Sequence, residues 1–594
     1  MENKRKNIKR NEIISLIVTL LTIVLVNIIG SYVYTRFDLT SEKRYTLSDT
    51  SKEILKSLDD YVYFRVYLEG DFPAGFKKLR KETKEMLDEF RAYSKFIDYE
   101  FINPAESPDP AERQETYKIL WQSGLDYMDV NVETKNGREL IHIWPWSIVS
   151  YREMEMPVNL MKARPGQSME TVLNNSAQDL EYQLINAIRE ITVQNRKTVA
   201  FVDGHGELGD LEVYDIANSL AKKYLIKRAT LNEQVSALTK RDLDRDSNIV
   251  IKPAFDAIIL AKPTKPFSEK DKFLIDQYIM YGGKVLWLLD PVSASMDSLQ
   301  SAESTMGLAN NLNLDDQLFK YGLRLNRNLL LAYPCAQIGL VTGQGANLQS
   351  VLLPWYYFPL LGPASEHPIV SNVDAVKADF VSSLEPTTSA PEVQKIPLLK
   401  TSDYTKVSSA PVYISLEIIS QFANIRNEQD ARQFFPQRGV ATAFLLQGTF
   451  TSLYDNRMPE DILSSPEMGF KNHSVPTSMI VIADGDIIRN QLAQLDYAKK
   501  NNKRVGSPLE LGYDQYTNNY YGNKQFIENA VSYLLEGEGL ISIRSRELKI
   551  RLLDRNKMNN NPMMWQVVNV VLPSAVMIIL GIVLAVLRKK KYTK

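Results

Sequence analysis

Two long apolar runs, one near each end of the chain, limit what this sequence can fold into more than any other feature. They cover Ile13–Tyr34 and Met563–Leu587, and neither contains a charged residue. At about 1.5 Å per helical residue, each is long enough to cross a hydrocarbon layer of about 30 Å. The first run is longer than the apolar part of a typical signal peptide and lacks a small-residue cleavage motif. The sequence therefore predicts two transmembrane helices with one large body between them.

Basic residues flank both runs on the side of the chain terminus. Five precede the first run and five follow the second: Lys4, Arg5, Lys6, Lys9, Arg10, Arg588, Lys589, Lys590, Lys591 and Lys594. Basic flanks are retained in the cytoplasm. We therefore expect both tails, residues 1–12 and 588–594, to be cytoplasmic. The body is then expected in the periplasm, anchored in the bacterial inner membrane.

The body is acidic although the chain as a whole is nearly neutral. The full sequence has 70 Lys and Arg against 71 Asp and Glu, a formal net charge of −1. Without the ten tail cations and the tail residues Glu2 and Glu12, 60 basic and 69 acidic residues remain, a net charge of −9. This balance argues against nucleic acid as a partner, because phosphate backbones are bound by basic surfaces.

A single cysteine, Cys335, leaves no possibility of an intrachain disulfide. The body must therefore be stabilised by its own apolar core, for which 594 residues with 44% hydrophobic content suffice over two or three domains. Cys335 lies in Tyr333–Gln337, which lacks the glycines of a nucleophile elbow. We expect a buried, unreactive thiol there.

The first part of the body alternates helix and strand patterns and is predicted to form a small α/β domain over residues 61–165, after a stalk at 35–60. Apolar alternation predicts strands, and apolar residues at helical spacing predict helices. The expected strands are Tyr61–Glu69, Phe96–Ile102, Tyr127–Glu133 and Leu140–Tyr151, the last two as a hairpin, and the expected helices are Gly75–Ser94 and Pro110–Gln122.

The second part is predicted to be a doubly wound α/β domain formed by residues 174–294 and 476–540. Its short apolar strands are typical of a parallel sheet that is buried on both faces. The expected strands are Thr198–Val202, Ala257–Ala261, Lys284–Leu289 and Thr477–Ala483, and the expected helices are Asn174–Thr192, Val213–Lys223, Glu269–Tyr281 and Gln525–Leu535. Residues 295–475 are interpreted as an insertion, and 541–562 as a second stalk.

Acidic side chains follow three of these strands at the point where each strand ends. They are Asp203, His205 and Glu207 after the first, Asp290 after the third, and Asp484 and Asp486 after the fourth. In open parallel sheets, ligands bind beyond the carboxyl ends of the strands. We therefore expect these six residues to line one crevice that is a candidate ligand site.

Three interpretations of this acidic group remain open at the sequence level. Asp and Gly after a strand are ordinary turn and helix-capping residues. The group is also suited to bind a polar solute or a divalent cation, or to present His205 as a general base oriented by Asp203 or Glu207. Zinc-protease, Walker A and Cys/His zinc spacings are absent from the sequence, and no cofactor is predicted.

Four segments together resemble a known family. Phe37–Ser48 after the first apolar run, Val202–Glu207, Gly283–Pro291 and Ala483–Asn490 are similar, in order and spacing, to the GldG family. This family comprises auxiliary, substrate-binding components of gliding-motility ABC transporters. The likeness extends over essentially the whole chain.

The resemblance implies a complex with a multi-spanning permease and a cytoplasmic ATPase, and a role in gliding motility or linked export. It also implies that Asp203–Glu207 belongs to a glutamine-amidotransferase-like domain, which here lacks the catalytic cysteine elbow. We therefore predict a non-enzymatic, membrane-anchored subunit that binds a solute or a motility protein. The alternatives are a periplasmic hydrolase that uses His205 and a scaffold that links the transporter to a surface machine.

Overall fold

The structure is a computed structural model that describes residues 14, 16–25, 46–134, 137–161, 168–192, 196–243, 249–302, 304–342, 349–425, 427–460, 465, 468–537, 539, 541 and 562–592. The chain divides into two compact units. One comprises the two terminal segments, Met1–Thr46 and Glu547–Lys594, and the other is the body, Leu47–Arg546.

The terminal unit contains the apolar helices. The C-terminal helix, Pro562–Tyr592, includes Met563–Leu587, the one helix among the described residues that is long and apolar enough to span a membrane. Pro573 lies inside this helix. Of the predicted N-terminal span, the structure describes a shorter apolar helix over Leu16–Leu25. Most of the remaining residues of that run, and the basic N-terminal tail, lie outside the described residues.

The first part of the body has six strands and four helices. The strands are β1 (Val62–Val66), β2 (Ile97–Phe101), β3 (Met128–Thr134), β4 (Gly137–Ile143), β5 (Trp146–Tyr151) and β6 (Met154–Asn159). The helices are α1 (Asp49–Lys56), α2 (Ala74–Tyr93), α3 (Pro110–Gln122) and α4 (Met169–Thr192). Ser48 caps α1 and Asp109 caps α3, each by accepting a hydrogen bond from a backbone N–H of the first turn.

Strands β2, β1, β5 and β6 form a sheet in that order, with β1 parallel to β2 and antiparallel to β5. Helices α2 and α4 bury their apolar faces in the same core as this sheet. The predicted apolar stripe of α4 is confirmed: Leu180, Leu184, Ile185, Ile188 and Ile191 are all buried. Although we expected α4 to lead into the second domain, its buried face packs in the core of the first.

The predicted strand Leu140–Tyr151 is wrong as a single element. It divides at Trp144-Pro145 into β4, which pairs with β3 in a separate hairpin, and β5, which joins the four-stranded sheet. Pro145 has no backbone N–H, so it cannot continue a hydrogen-bonded ladder. The β3–β4 hairpin itself was expected.

The rest of the body contains twenty-one described strands. They are β7 (Thr198–Asp203), β8 (Leu225–Thr230), β9 (Thr239–Leu243), β10 (Ile249–Pro253), β11 (Ala257–Ala261), β12 (Lys284–Leu288), β13 (Val292–Ser293), β14 (Ser304–Ala309), β15 (Leu323–Leu325), β16 (Asn328–Ala332), β17 (Cys335–Thr342), β18 (Gln349–Pro363), β19 (Val376–Lys377), β20 (Leu384–Pro386), β21 (Gln394–Lys400), β22 (Thr405–Ser409), β23 (Val412–Ser415), β24 (Ala441–Gly448), β25 (Thr477–Ile482), β26 (Tyr513–Asp514) and β27 (Asn519–Tyr520).

Eight described α-helices accompany these strands. They are α5 (Tyr214–Ala221), α6 (Glu269–Met280), α7 (Met296–Ser301), α8 (Asp315–Tyr321), α9 (Glu417–Gln421), α10 (Glu428–Phe434), α11 (Leu495–Lys500) and α12 (Asn523–Glu536), with a 3-10 turn at Asp486–Ile488. Ser268 caps α6, the helix that connects β11 to β12, by accepting a hydrogen bond from the Asp271 N–H. The strand–helix–strand pattern predicted here is present.

A ten-stranded sheet forms the centre of the body. Its order is β17-β18-β21-β24-β25-β12-β11-β7-β8, with β19 paired to β18. The five strands from β25 to β8 run parallel, and β24 joins β25 antiparallel. One core contains residues of α5 and α12, and a second contains residues of α6, so helices cover both faces. The predicted α/β class is therefore confirmed.

Residues 295–475, which we interpreted as an insertion, supply one half of this sheet. Strands β17, β18, β21 and β24 all come from this stretch and pair antiparallel with one another. The stretch also forms a core rich in aromatic side chains, including Trp355, Tyr356 and Phe435, which are at most 2% exposed. The central sheet thus has a parallel half and an antiparallel half that meet between β25 and β24.

Candidate functional site

The candidate site is a cavity of about 840 Å³ in the body. It lies beside the turns that follow β11 and β25, near the boundary between the parallel and antiparallel halves of the sheet. Open α/β sheets bind ligands beyond the carboxyl ends of their parallel strands, where these two turns lie. Charged side chains on its wall are Lys262, Asp297, Lys377, Asp379, Asp486, Arg489 and Asp514.

Lys262 is the central cation of the cavity floor. It directly follows β11, and its ammonium lies 3.3 Å from Asp290 and forms a shorter contact with Asp486. Burial lowers the pKa of Lys262, but the carboxylates of Asp290 and Asp486 more than offset this effect and hold the pKa above its usual value. Lys262 also has φ +55°, a conformation that strains a residue with a side chain. Such strain is concentrated at functional sites.

The turn after β25 is held by its own carboxylates. Asp484 is fully buried and accepts hydrogen bonds from the N–H groups of Asp379, at 2.8 Å, and Asp486, at 2.7 Å. Asp290 accepts one from the N–H of Gly485. These bonds join the end of β12, the turn after β25 and the segment after β19. The predicted proximity of Asp290, Asp484 and Asp486 is therefore present in the structure.

Burial and mutual repulsion change the titration of these acids. Burial, partly offset by Lys262, raises the pKa of Asp290 to about 6. Burial, followed by the charges of Asp290 and Asp486, raises the pKa of Asp484 well above its usual range.

Two further cations complete the charge pattern. The Lys377 ammonium lies 3.1 Å from Asp379 and 4.6 Å from the centre of the Phe358 ring. The guanidinium of Arg489 lies 3.0 Å from Glu212 and 3.5 Å from Asp486. Each cation on the cavity wall therefore has a carboxylate partner.

The remaining predicted residues lie in a different environment. The His205 ring is stacked on Phe267 with ring centres 3.8 Å apart, and its Nε2 lies 3.2 Å from Asp271 Oδ2. Its Nδ1 is 3.7 Å from Glu207 Oε1, too far for a hydrogen bond. Asp203 instead pairs with Arg228 at 2.6 Å. No hydrogen bond or ion pair between described residues joins these three to the Asp290–Asp484–Asp486 group.

This arrangement has consequences for the catalytic and metal interpretations. His205 is only 6% exposed, so its ring has no open approach for a solute. Asp271, which accepts a hydrogen bond from Ser268 at the N-terminus of α6, holds the ring in place. Across the described residues, no three His, Cys, Asp or Glu side chains are placed to hold a metal ion. In the cavity, Lys262 lies between the carboxylates, as a bound cation would.

Sequence reasoning missed the basic half of the site. Lys262 follows the apolar strand β11 directly, so a search for any charged residue at a strand end would have found it. Lys377, Asp379 and Asp514 follow no apolar strand of the predicted sheet, and only the tertiary fold brings them to the cavity. Their local sequence carries no signal.

A second cavity, of about 740 Å³, lies between the first part of the body and the central domain. Side chains of β5, α4, α5 and α12 line it, among them Trp146 and Tyr182, together with Lys223, which follows α5. The Lys223 ammonium contacts the Tyr182 hydroxyl and the Asn186 amide oxygen, both at 3.2 Å. Tyr521, next to β27, borders both cavities.

The chain is similar to the following families and proteins. Residues 196–530 match the family described as an ABC-type uncharacterized transport system, and residues 41–150 match a domain of unknown function, DUF7088. An uncharacterized protein of Borreliella burgdorferi is 21% identical over 581 residues, which are 97% of this chain and 98% of that protein. The solved mmIFT52 N-terminal domain aligns at 10% identity and a TM-score of 0.30, covering 57% of this chain and 98% of its own.

Proposed function

Because this chain belongs to the family of ABC-type uncharacterized transport systems, we propose that it is a non-catalytic auxiliary subunit of an ABC transport complex whose cavity receives a polar solute. The observation that carries the proposal is the extent of the family match. It covers 196–530, and every residue that lines the 840 Å³ cavity lies between Lys262 and Asn523, within that match. The cavity is therefore built entirely from the part of the chain that defines the family.

The membrane helices favour a permanent subunit over a free receptor. Met563–Leu587 is suited to span the membrane, and we propose that Ile13–Tyr34 spans it as well. The basic tails then lie in the cytoplasm and the body in the periplasm. The partners are a multi-spanning permease, which contacts the two helices, and a cytoplasmic ATPase, which supplies the energy.

The resemblance to the GldG family supports a narrower proposal for the complex. We place it in gliding motility or linked export, and we interpret the parallel half of the sheet as amidotransferase-like without the amidotransferase nucleophile. In support of a non-enzymatic role, Cys335 lies at the start of β17 and not in a turn after a strand. His205, the base of the alternative hydrolase mechanism, is enclosed by Phe267, Asp271 and Glu207.

The proposed orientation is tested by cysteine labelling. In a Cys335→Ala background, we place a thiol at exposed Asn501 or, in a second variant, at Lys590. In spheroplasts, a membrane-impermeant maleimide should label Asn501→Cys, whereas Lys590→Cys should be labelled only after permeabilisation. Labelling of Lys590→Cys in intact spheroplasts would contradict a cytoplasmic C-terminus.

The proposed role is tested by the ATP hydrolysis of the isolated complex. Lys377→Met removes a cation of the cavity wall. The control variant is Lys270→Met, which removes an exposed lysine of helix α6 that is paired with Glu233. We expect complexes with Lys377→Met to assemble but to lose solute-dependent hydrolysis, while Lys270→Met retains it. Equal hydrolysis by assembled wild-type and Lys377→Met complexes would refute a role for the cavity.

A further inference from the structure

The three cations that line the 840 Å³ cavity are each paired with a carboxylate of the protein. Lys262 contacts Asp290 and Asp486, Lys377 contacts Asp379, and Arg489 contacts Glu212. An anionic ligand would have to compete with one of these carboxylates for its cation and leave that carboxylate without a counter-charge in a partly buried site, which is costly. A ligand without formal charge accepts and donates hydrogen bonds while these pairs stay intact. The charge pattern therefore argues against an anionic ligand.

Aromatic rings also line this cavity and supply flat apolar surface. Tyr513, Tyr516 and Tyr521 belong to or adjoin the β26–β27 hairpin, and Phe358 and Phe380 line the cavity as well. Tyr516 is 42% exposed, so its ring is open to a ligand. Flat ring faces pack against flat apolar ligand surfaces, and tyrosine combines this with a polar hydroxyl. The C–H face of a pyranose ring is such a surface.

Planar polar groups lie beside these rings. The carboxylates of Asp379 and Asp514, the guanidinium of Arg489 and the amides of Gln491 and Gln515 all line the cavity. Carboxylates and guanidinium groups form paired, in-plane hydrogen bonds, and amides both accept and donate. Adjacent hydroxyl groups on a ring match this geometry, since each hydroxyl is both a donor and an acceptor.

We infer that the ligand of this cavity is a neutral, polyhydroxylated molecule of the oligosaccharide class, held between the tyrosine wall and the planar polar groups. This inference rests on the proposed function of the cavity as a solute site. A volume of about 840 Å³ is at the upper end of ordinary small-molecule pockets, which favours several linked rings over a single sugar. Binding of a neutral ligand also depends little on ionic strength, because no formal charge is screened.

The test uses the full-length protein in a sugar-free polyoxyethylene detergent, because glycoside detergents would compete. Isothermal titration calorimetry is performed with maltotriose, cellotriose and chitotriose (tri-N-acetylglucosamine) as neutral probes. Matched charged probes are trigalacturonate, which is anionic, de-acetylated chitotriose, which is cationic, and zwitterionic trialanine. We expect at least one neutral trisaccharide to bind, with less than about a twofold change in Kd between low and high salt.

Two tyrosine variants locate the binding. Tyr516→Ala removes an exposed ring from the cavity wall, and we expect at least tenfold weaker binding. Tyr413→Ala is the control, because Tyr413 is 61% exposed on β23 and does not line the cavity. Tyr413→Ala should bind the neutral trisaccharide with the same affinity as the wild type.

The outcomes separate this inference from the proposed function. The inferred ligand class is wrong if only charged probes bind, or if none of the three neutral trisaccharides binds. Neither result tests the transporter role, which is decided by assembly of the complex and its ATP hydrolysis. The inference is also wrong if a neutral trisaccharide binds Tyr516→Ala as tightly as the wild type, because the sugar then binds outside the tyrosine wall. Neutral binding lost only in Tyr516→Ala supports it.

Discussion

Lys262 is the residue on which the cavity floor depends most. Its ammonium serves both Asp290 and Asp486, and its side chain is only 17% exposed. Lys262→Met should lower the free energy of unfolding by about 3–5 kcal/mol at neutral pH, because it removes the cation paired with Asp290 and leaves Asp486 with Arg489 alone. Urea unfolding followed by the fluorescence of the buried Trp287 and Trp355 measures this loss. The loss should shrink near pH 5, where Asp290 takes up a proton.

The control for this prediction is Lys270→Met. Lys270 pairs with Glu233 at 2.8 Å, but its side chain is 73% exposed. Exposed ion pairs contribute little to stability, so this variant should unfold nearly as the wild type does. Equal losses in the two variants would show that the charge of Lys262 has no special role.

Asp290, the partner of Lys262, gives the stability of the folded protein a defined dependence on pH. Its pKa is about 6 in the folded protein and about 4 in an unfolded chain, so the folded protein binds the proton more tightly. The free energy of unfolding should therefore fall as pH rises from about 4 to about 6, by up to about 3 kcal/mol from this group, and remain lower above that range. Asp290→Asn should flatten this part of the curve. The same slope in both proteins would contradict it.

Cys335 allows a chemical test of burial. Burial raises the pKa of its thiol to about 12, so the reactive thiolate is scarce at pH 8. Iodoacetamide should therefore modify the folded protein far more slowly than the urea-denatured protein, as mass spectrometry would show. Rapid alkylation of the folded chain would contradict the raised pKa of this half-buried thiol.

Residue-level prediction from sequence succeeded where local pattern and tertiary position coincide. Asp290, Asp484 and Asp486 follow apolar parallel strands, and the carboxyl ends of neighbouring strands β12 and β25 necessarily meet. Asp203 is the last residue of β7 and His205 follows this strand, but their side chains contact Arg228 and Phe267 instead. Strand order places residues at one edge of a sheet, but the packing of each side chain decides which of them meet.

At the scale of elements, the β26–β27 hairpin forms a wall of the cavity through a close glycine contact. Gly512 has φ +85°, and a Cβ there would lie 2.5 Å from the Tyr521 carbonyl oxygen. Gly506 has a similar φ of +79°, but no atom of the described part of the chain, its two neighbours aside, lies within 4 Å of its would-be Cβ. Gly506→Ala should therefore cost only the strain of the backbone, about 1–2 kcal/mol. Gly512→Ala adds a clash and must displace the hairpin.

The two alanine variants should differ in solute binding as well as in stability. Gly512→Ala should unfold at lower urea than Gly506→Ala and should weaken binding in the cavity, because Tyr513 and Tyr521 move with the hairpin. Calorimetry and urea unfolding of both variants test this. If the two variants are equally stable, the hairpin has room for the extra methyl group, and the close approach to the Tyr521 carbonyl does not constrain it.

Helices and strands with a strong hydrophobic periodicity were predictable from the sequence. Strands that depend on pairing with residues far along the chain were not. The buried stripe of α4 and the apolar strand β11 follow directly from residue order. Residues 295–475 contain strands such as β21, whose partner β24 lies more than forty residues later. No local pattern specifies such a pairing. The break at Pro145 was visible in the sequence, but the apolar alternation on both sides obscured it.

At the scale of the whole molecule, the chain combines an α/β body with an apolar helix that is long enough to span a membrane. The body contains the cavity, and we propose that the apolar helices contact the permease. Gly581 interrupts the apolar surface of the C-terminal helix, and among the described residues no atom beyond its own helical turns lies within 4 Å of its would-be Cβ. Small residues allow close helix packing in membranes. Gly581→Leu should therefore weaken association with the permease, while Val583→Leu, on the same helix, should not.

Affinity purification of the full-length chain from its native membranes, with quantitative mass spectrometry of the proteins that elute with it, tests the central claim most directly. We predict that a multi-spanning permease and a cytoplasmic ATPase co-elute in fixed ratio with the wild-type protein and with Val583→Leu, and in reduced amount with Gly581→Leu. A chain that elutes without either partner in mild detergent would contradict its assignment as a subunit of an ABC transport complex.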